Sequence, residues 1–269
     1  MSPRRQKPLI LLTNDDGFFA PGIEILASKV RDLGDIYIVA PDREKSATSL
    51  ALTLRQPLRA HRVRERIFAV DGTPADCIYL ALRKILPRKP DLVLSGINPG
   101  PNLGQQDVAY SGTVAGALQA AFFHIPSLAV SCMADGGGRL PFDFAAGFAR
   151  ETARRLLKAG LPLGTVLNVN VPPPPIKGIM MTALGEKRYS PEVIEKTDPR
   201  NNVYYWIGMG KIKAVGGRGS DVRALERGYI SVTPLHKDMT DYVVLGLPAL
   251  KALFTFSPAG SPVGAARIR

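Results

Sequence analysis

Asp15 and Asp16 stand side by side directly after an apolar run at residues 8–13. Adjacent carboxylates at the end of a buried strand are costly unless something neutralises them, and a divalent cation does so. The alternative is that one aspartate caps the helix starting at Pro21 while the other faces solvent. Further oxygen donors sit in two other polar loops: the Ser46 hydroxyl within residues 41–46 and the Asn98 amide within residues 95–100. Such a hard oxygen set favours Mg²⁺ or Mn²⁺ over zinc. His61, His124 and His236 show no metal-ligand spacing, and two cysteines, Cys77 and Cys132, are too few for a cysteine zinc site. The segment Ser111-Gly112-Thr113 opens a helix, where free N–H groups and the dipole favour an anion. A plain capping role for Ser111 or Thr113 is compatible with that. A cation beside a helix N-terminus suggests phosphoryl chemistry, both stabilising developing negative charge. No Gly-x-Gly-x-x-Gly follows the first strand and no Walker lysine pattern occurs, which weighs against a dinucleotide oxidoreductase and a P-loop NTPase.

The elements that must position these residues alternate between strand and helix patterns. Residues 8–13, 35–40, 91–95, 127–131 and 166–171 read as buried strands. Helical spacing marks 21–33, about 74–86, about 112–123 and 142–158. Thr73-Pro74-Ala75-Asp76 is a helix start, with Thr73 as cap. Residues 52–63 and 67–70 read as strands near a sheet edge, where Arg55, Arg59, Arg62, Arg64 and Arg66 guard against further pairing. This βα alternation predicts an α/β fold: a Rossmann-like, mostly parallel sheet flanked by helices. In such a sheet, ligands bind beyond the carboxyl ends of the strands. The loops at 13–17, 41–46 and 95–100 all leave such ends. Residues 185–220 are polar and turn-rich, with Tyr204, Tyr205 and Trp206 clustered, and read as a projecting β-hairpin arm used in self-association. Residues 229–233 return as a strand, and 242–254 read as a C-terminal helix. The whole of 1–269 is expected to form one α/β domain, with 185–220 as the arm and 240–269 as a C-terminal, exchangeable element.

Composition sets outer bounds. The chain has 269 residues, of which 45% are hydrophobic and 22% charged, as expected of a globular protein. No apolar run reaches the ~18 residues of a membrane span, and the basic start with Arg4, Arg5 and Lys7 precedes too short a run for a signal peptide. Two cysteines in apolar stretches fit free thiols and a reducing cytoplasm. The formal net charge of +12 points to an anionic partner. The basic residues are dispersed and nucleic-acid motifs are missing, so nucleic acid is not expected to be the main partner.

The segments ILLTNDDGFFAPGI, VAPDREKSATS, VDGTPADCIYLAL, DLVLSGINPGPNLG, YSGTVAGALQAA, LNVNVP and RGYISVTPLHKDMTDY span nearly the whole chain in order. Together they closely resemble the survival protein E (SurE) family of 5'-nucleotidases. The resemblance implies a hydrolase that releases phosphate from nucleoside 5'-monophosphates, and sometimes from 3'-monophosphates or short polyphosphate. It places one divalent cation per subunit on Asp15, Asp16, Ser46 and Asn98. Ser111, Gly112 and Thr113 match the family's phosphate-contacting stretch, and Asn14, Gly96 and Asn98 join them as candidate phosphate contacts. It also implies a homodimer or homotetramer with exchanged C-terminal elements. In the expected reaction a water activated at the metal attacks phosphorus, with Asp15, Asp16 and Asn98 as catalytic groups and Asp16 a candidate base. An aspartyl-phosphate route, as in haloacid-dehalogenase-type phosphatases, favours Asp-x-Asp rather than the adjacent pair found here.

Overall fold

A computed structural model describes residues 7–254 apart from 191, 209 and 211. The described residues fall into two compact units that part between Lys237 and Asp238.

The larger unit is built on β1 (Leu9–Thr13), β2 (Asp35–Pro41), β3 (Ala60–Arg64), β4 (Ile67–Val70), β5 (Leu92–Asn98), β6 (Ser127–Cys132) and β7 (Thr165–Val171). Its later strands are β8 (Gly178–Met181), β9 (Glu186–Tyr189), β10 (Glu192–Thr197), β11 (Val203–Gly208), β12 (Ile212–Val215) and β13 (Tyr229–His236). Nine of these form one sheet in the order β3-β4-β2-β1-β5-β6-β7-β13-β8. From β4 to β7 all neighbours are parallel, while β3 and β13 pair antiparallel with β4 and β7. The strand order reverses at β1 and β5, so a crevice opens beyond their carboxyl ends. Asp15 follows one of those ends and Asn98 closes the other.

Helices cover both faces. α1 (Pro21–Val30) and α5 (Phe142–Ala159) pack on the face formed by Ile10, Leu12, Leu92, Leu94, Leu128, Val130 and Val169. α2 (Pro74–Leu80) and α4 (Gly112–Phe122) cover the other, where Leu11, Val39, Val93 and Ala129 lie. Alternation along each strand assigns these side chains to opposite faces. Each fully buried Leu or Ile contributes roughly 1.5–3 kcal/mol, which makes the central strands rigid supports for the loops they carry.

Several elements depart from the sequence expectation. Residues 52–59 form no strand; β3 starts only at Ala60. The start of this stretch is held by the cap of α2 instead. Thr53 donates through N–H and hydroxyl to Asp76, at 2.9 and 2.7 Å, and Thr73 donates to the Ala51 carbonyl at 2.7 Å. The helix expected to reach residue 86 ends as α-helix at Leu80 and continues as a π-helical turn, Ala81–Ile85. Thr73 caps α2 as expected, and Asp76 bonds back to the Thr73 N–H to complete a reciprocal cap. A short helix not expected from sequence, α3 (Gly104–Tyr110), follows β5, and another, α6 (Asp221–Glu226), precedes β13. The region 185–220 folds as two antiparallel ladders, β9 with β12 and β10 with β11.

In the smaller unit the expected helix 242–254 is two short ones, α7 (Tyr242–Leu245) and α8 (Pro248–Leu253). Gly246 ends the first and Pro248 starts the second, because proline cannot continue a helix that needs its N–H. Residues 255–269 of the expected exchangeable element lie outside the described residues.

Candidate active site

Backbone hydrogen bonds draw the loops together. Lys45 N–H donates to the Asp15 carbonyl at 2.7 Å, Phe18 N–H to Pro41 at 2.9 Å, and Ser49 N–H to Tyr110 at 3.1 Å. The loops after β1, β2 and β5 and the end of α3 therefore form one assembly. Asp15, Ser46, Asn98, Asn102, Asp107, Tyr110 and Ser111 line a cleft of about 480 Å³ there, with Tyr189 of β9 and Ile207 of β11 on its far wall.

Asp15 is buried at 4% exposure. The Thr113 hydroxyl donates to its Oδ1 at 2.5 Å. Burial raises its pKa, and the hydrogen bond from Thr113 partly offsets that. Gly112 lies directly on Asp15: a Cβ there would stand 2.7 Å from Asp15 Cβ and 2.8 Å from Oδ2. Ser111 Oγ accepts from Val114 N–H at 3.0 Å and caps α4. The N-terminal turn of α4 thus meets the Asp15 carboxylate through Gly112 and Thr113, while Ser111 lines the cleft.

Asp16 is half-buried, and its Oδ2 has no hydrogen-bond partner among the described residues. Its pKa is pushed up to about 7, first by burial and then by the charges of Asp15 and Glu44. Ser46 is exposed and donates to Glu44 Oε1 at 2.7 Å, so its oxygen keeps lone pairs free. Asn98 donates Nδ2 to the Gly100 carbonyl at 2.6 Å, leaving Oδ1 as its acceptor. Among the described residues, no group of three or more His, Cys, Asp or Glu could hold a metal. Any cation here must therefore use the hydroxyl and amide oxygens as well. The orphaned Asp16 oxygen, the raised carboxylates and the all-oxygen donor set fit a hard divalent cation.

Two expected phosphate contacts are engaged elsewhere. The Asn14 amide closes its own turn, donating to the Gly17 carbonyl at 2.8 Å and accepting from Gly17 N–H at 3.2 Å. Gly96, at φ +123°, lets β5 approach β6, since a Cβ there would meet the Val130 carbonyl oxygen at 2.2 Å. Neither lines the cleft. Among the cleft residues that sequence reasoning missed, Asp107, Tyr189 and Asn102 make side-chain bonds that shape the site. Asp107 on α3 is held by Lys187 and Tyr189, which tie the arm to the cleft wall. Burial and that aspartate raise the Tyr189 pKa. Asn102 is the third, and its signal was the pair of asparagines buried in the apolar strand Leu-Asn-Val-Asn-Val.

A family profile described as "Survival protein SurE" matches residues 10–191, more than half of the chain. The "5'-nucleotidase SurE" of Geobacter sulfurreducens is 47% identical over 260 residues, covering 95% of this chain and 98% of that protein. Its namesake in Geobacter metallireducens is 47% identical over 239 residues, covering 88% and 94%. The crystal structure of the SurE protein from Aquifex aeolicus superposes with a TM-score of 0.76 at 42% identity, covering 88% of this chain and 97% of that one.

Proposed function

The chain belongs to the survival protein SurE family, and on that premise we propose that it is a divalent-metal-dependent 5'-nucleotidase, converting nucleoside 5'-monophosphates to nucleoside and phosphate. The observation that carries the reading is the half-buried Asp16 with an unpartnered oxygen, next in sequence to the buried Asp15 that lines one cleft with Ser46 and Asn98.

Asp15, Asp16, Ser46 and Asn98 would hold one cation, Mg²⁺ or Mn²⁺. When bound, it neutralises the carboxylates, polarises a phosphate oxygen and acidifies water. Thr113 holds Asp15 in one orientation through its hydroxyl. Asp16 accepts a proton from the attacking water. Asn98 faces the phosphoryl oxygens from the end of β5. Tyr110, Tyr189 and Ile207 supply the apolar surface against which a nucleoside can lie. We extend the reading to 3'-monophosphates and short polyphosphate, as the family resemblance implies.

The protein acts as a homodimer or homotetramer in this proposal, with 185–220 and 240–269 as the associating segments of a 1–269 chain. Support comes from β10 and β11, which expose Val193, Tyr205, Trp206 and Ile207, the last at 85%. A cytoplasmic location is supported by two free, buried thiols, Cys77 and Cys132. No helix of the described residues is long and apolar enough to cross a membrane.

The test is phosphate release from a panel of nucleoside 5'- and 3'-monophosphates and tripolyphosphate, in chelator and after adding back Mg²⁺, Mn²⁺ or Zn²⁺. Metal-restored hydrolysis of 5'-monophosphates is expected. Full activity in chelator, or none with any metal, overturns the reading.

A further inference from the structure

Beyond Asn98, the loop leaving β5 turns through Pro99, Gly100 and Pro101 to Asn102, and there it is pinned. Asn102 N–H donates to Asn170 Oδ1 at 2.8 Å. Its carbonyl accepts from Asn168 Nδ2 at 2.9 Å and Asn170 Nδ2 at 3.0 Å. Its own Nδ2 donates to Ser131 Oγ at 2.8 Å. Ser131, Asn168 and Asn170 are fully buried. Asn168 and Asn170 share a face of β7, and Ser131 is the register partner of Asn170 on β6.

Buried amides in a central strand cost free energy unless bonded, and a strand can be filled by apolar residues, as Leu167, Val169 and Val171 fill this one. Asn168 even keeps a buried Oδ1 without a partner among the described residues. Sheet stability therefore does not account for asparagine at these positions, whereas the grip on Asn102 does. That grip leads to the site. A fixed Asn102 fixes the turn containing Gly100, whose carbonyl takes the Asn98 Nδ2 at 2.6 Å and so turns Oδ1 away as the free acceptor.

We propose that Asn168 and Asn170 are positioning residues, which act through Asn102 and the Gly100 carbonyl to aim the Asn98 amide oxygen at the cation. This inference rests on the nucleotidase reading and deepens it. Residues behind metal ligands typically change metal affinity or activity by about 10–100-fold when replaced.

The experiment compares Asn170→Leu with Thr182→Val, using Mn²⁺ titration calorimetry, thermal melts and steady-state kinetics on a nucleoside 5'-monophosphate. Thr182 bonds Ser231 and Thr233 at 2.9 and 2.7 Å in the adjacent buried hydroxyl cluster, so its loss weakens the same region without touching the loop. Asn170→Leu is expected to lower Mn²⁺ affinity and kcat by about tenfold or more, with KM moving less. Thr182→Val is expected to lower the melting temperature while keeping affinity and kcat. Ser131→Ala, which removes one of the bonds and little volume, is read in the same way with a smaller shift should Asn170→Leu not fold. The inference fails if the loop variants keep wild-type Mn²⁺ affinity and kcat, or if Thr182→Val loses both equally. A wild-type protein that neither binds Mn²⁺ nor hydrolyses the nucleotide overturns the proposed function instead.

Discussion

Replacing Gly112 with alanine tests whether the start of α4 sets the position of Asp15. By helix propensity alone the change is favourable, by up to about 1 kcal/mol in a helix interior and less in the first turn. The structure reverses the sign. An alanine Cβ would stand 2.7 Å from Asp15 Cβ, 3.1 Å from Cγ and 2.8 Å from Oδ2. Carbon atoms pack at about 3.5–4.0 Å, so the two groups must part by roughly 0.8 Å or more. Asp15 Cβ is fixed to a buried backbone at the end of β1, and Gly112 and Thr113 are buried too, so no flexible side-chain tip can absorb the shift. Overpacking of this kind costs about 1–3 kcal/mol, which exceeds the propensity gain. A displacement near 1 Å at a catalytic group can cost about 10²-fold in rate. The expected outcome is a folded protein with a modestly lower melting temperature and kcat/KM for a nucleoside 5'-monophosphate down by about 10²-fold. Gly147→Ala is the control: it lies on the exposed face of α5 with nothing within 4 Å of a new Cβ, and it should stabilise slightly and leave kcat/KM unchanged. Wild-type kcat/KM and wild-type stability in Gly112→Ala would refute the claim that this contact positions Asp15.

Asp16→Asn should change the pH dependence of stability in chelated protein. The folded pKa of about 7 lies above the ordinary aspartate value of 3.8, so the folded chain holds this proton more tightly and loses stability as pH rises between those values. Discounted for partial exposure, the loss is on the order of 1–2 kcal/mol, a few degrees of melting temperature at this size, and the asparagine variant should lack it. Identical melting profiles from pH 5 to 8 would contradict the assignment. Thr113→Val removes the hydroxyl bonded to Asp15 and should weaken Mn²⁺ binding by roughly 1.5–3 kcal/mol, read by calorimetry. Trp206→Glu on the exposed hairpin should lower the molecular mass in light scattering with little change in the melt of the larger unit; an unchanged mass would remove β11 from the interface.

The site was legible in sequence where a buried strand ends abruptly in polar residues. Leu9–Thr13 followed by two aspartates is such a place, and so is Leu92–Asn98, whose end supplies Asn98. Parallel strands are apolar on both faces, so the first polar residues mark the carboxyl end of the sheet. What sequence could not supply are bonds made across long separations. The α3 helix is seven residues without an amphipathic pattern, and its first N–H is satisfied by Asp221, 117 positions later. Residues 52–59 have strand-like alternation, but Asp76 bonds Thr53 and Thr73 bonds Ala51, so the chain there is held by the cap of α2. Local pattern marks Ser111-Gly112-Thr113 as a helix end that favours an anion, but cannot say that Asp15 also packs against it.

The charge of the chain and the charge of the site have opposite signs, and this bears on the order of events. A net +12 draws anionic nucleotides toward the molecule. At the cleft, however, Asp15 and Asp16 face Glu44 nearby, and their mutual repulsion is one of the causes that raises the Asp16 pKa. A phosphate dianion entering such a site meets like charge at short range, where screening by salt is weak. On the proposed function, a divalent cation would invert that local sign while leaving the long-range attraction intact, and so would serve the docking of the substrate's phosphate as well as its chemistry. The same argument explains why the chain spends a helix N-terminus and a threonine hydroxyl on Asp15. Both oppose the burial that raises the Asp15 pKa, and on the proposed function they would hold the carboxylate in one orientation toward the cation.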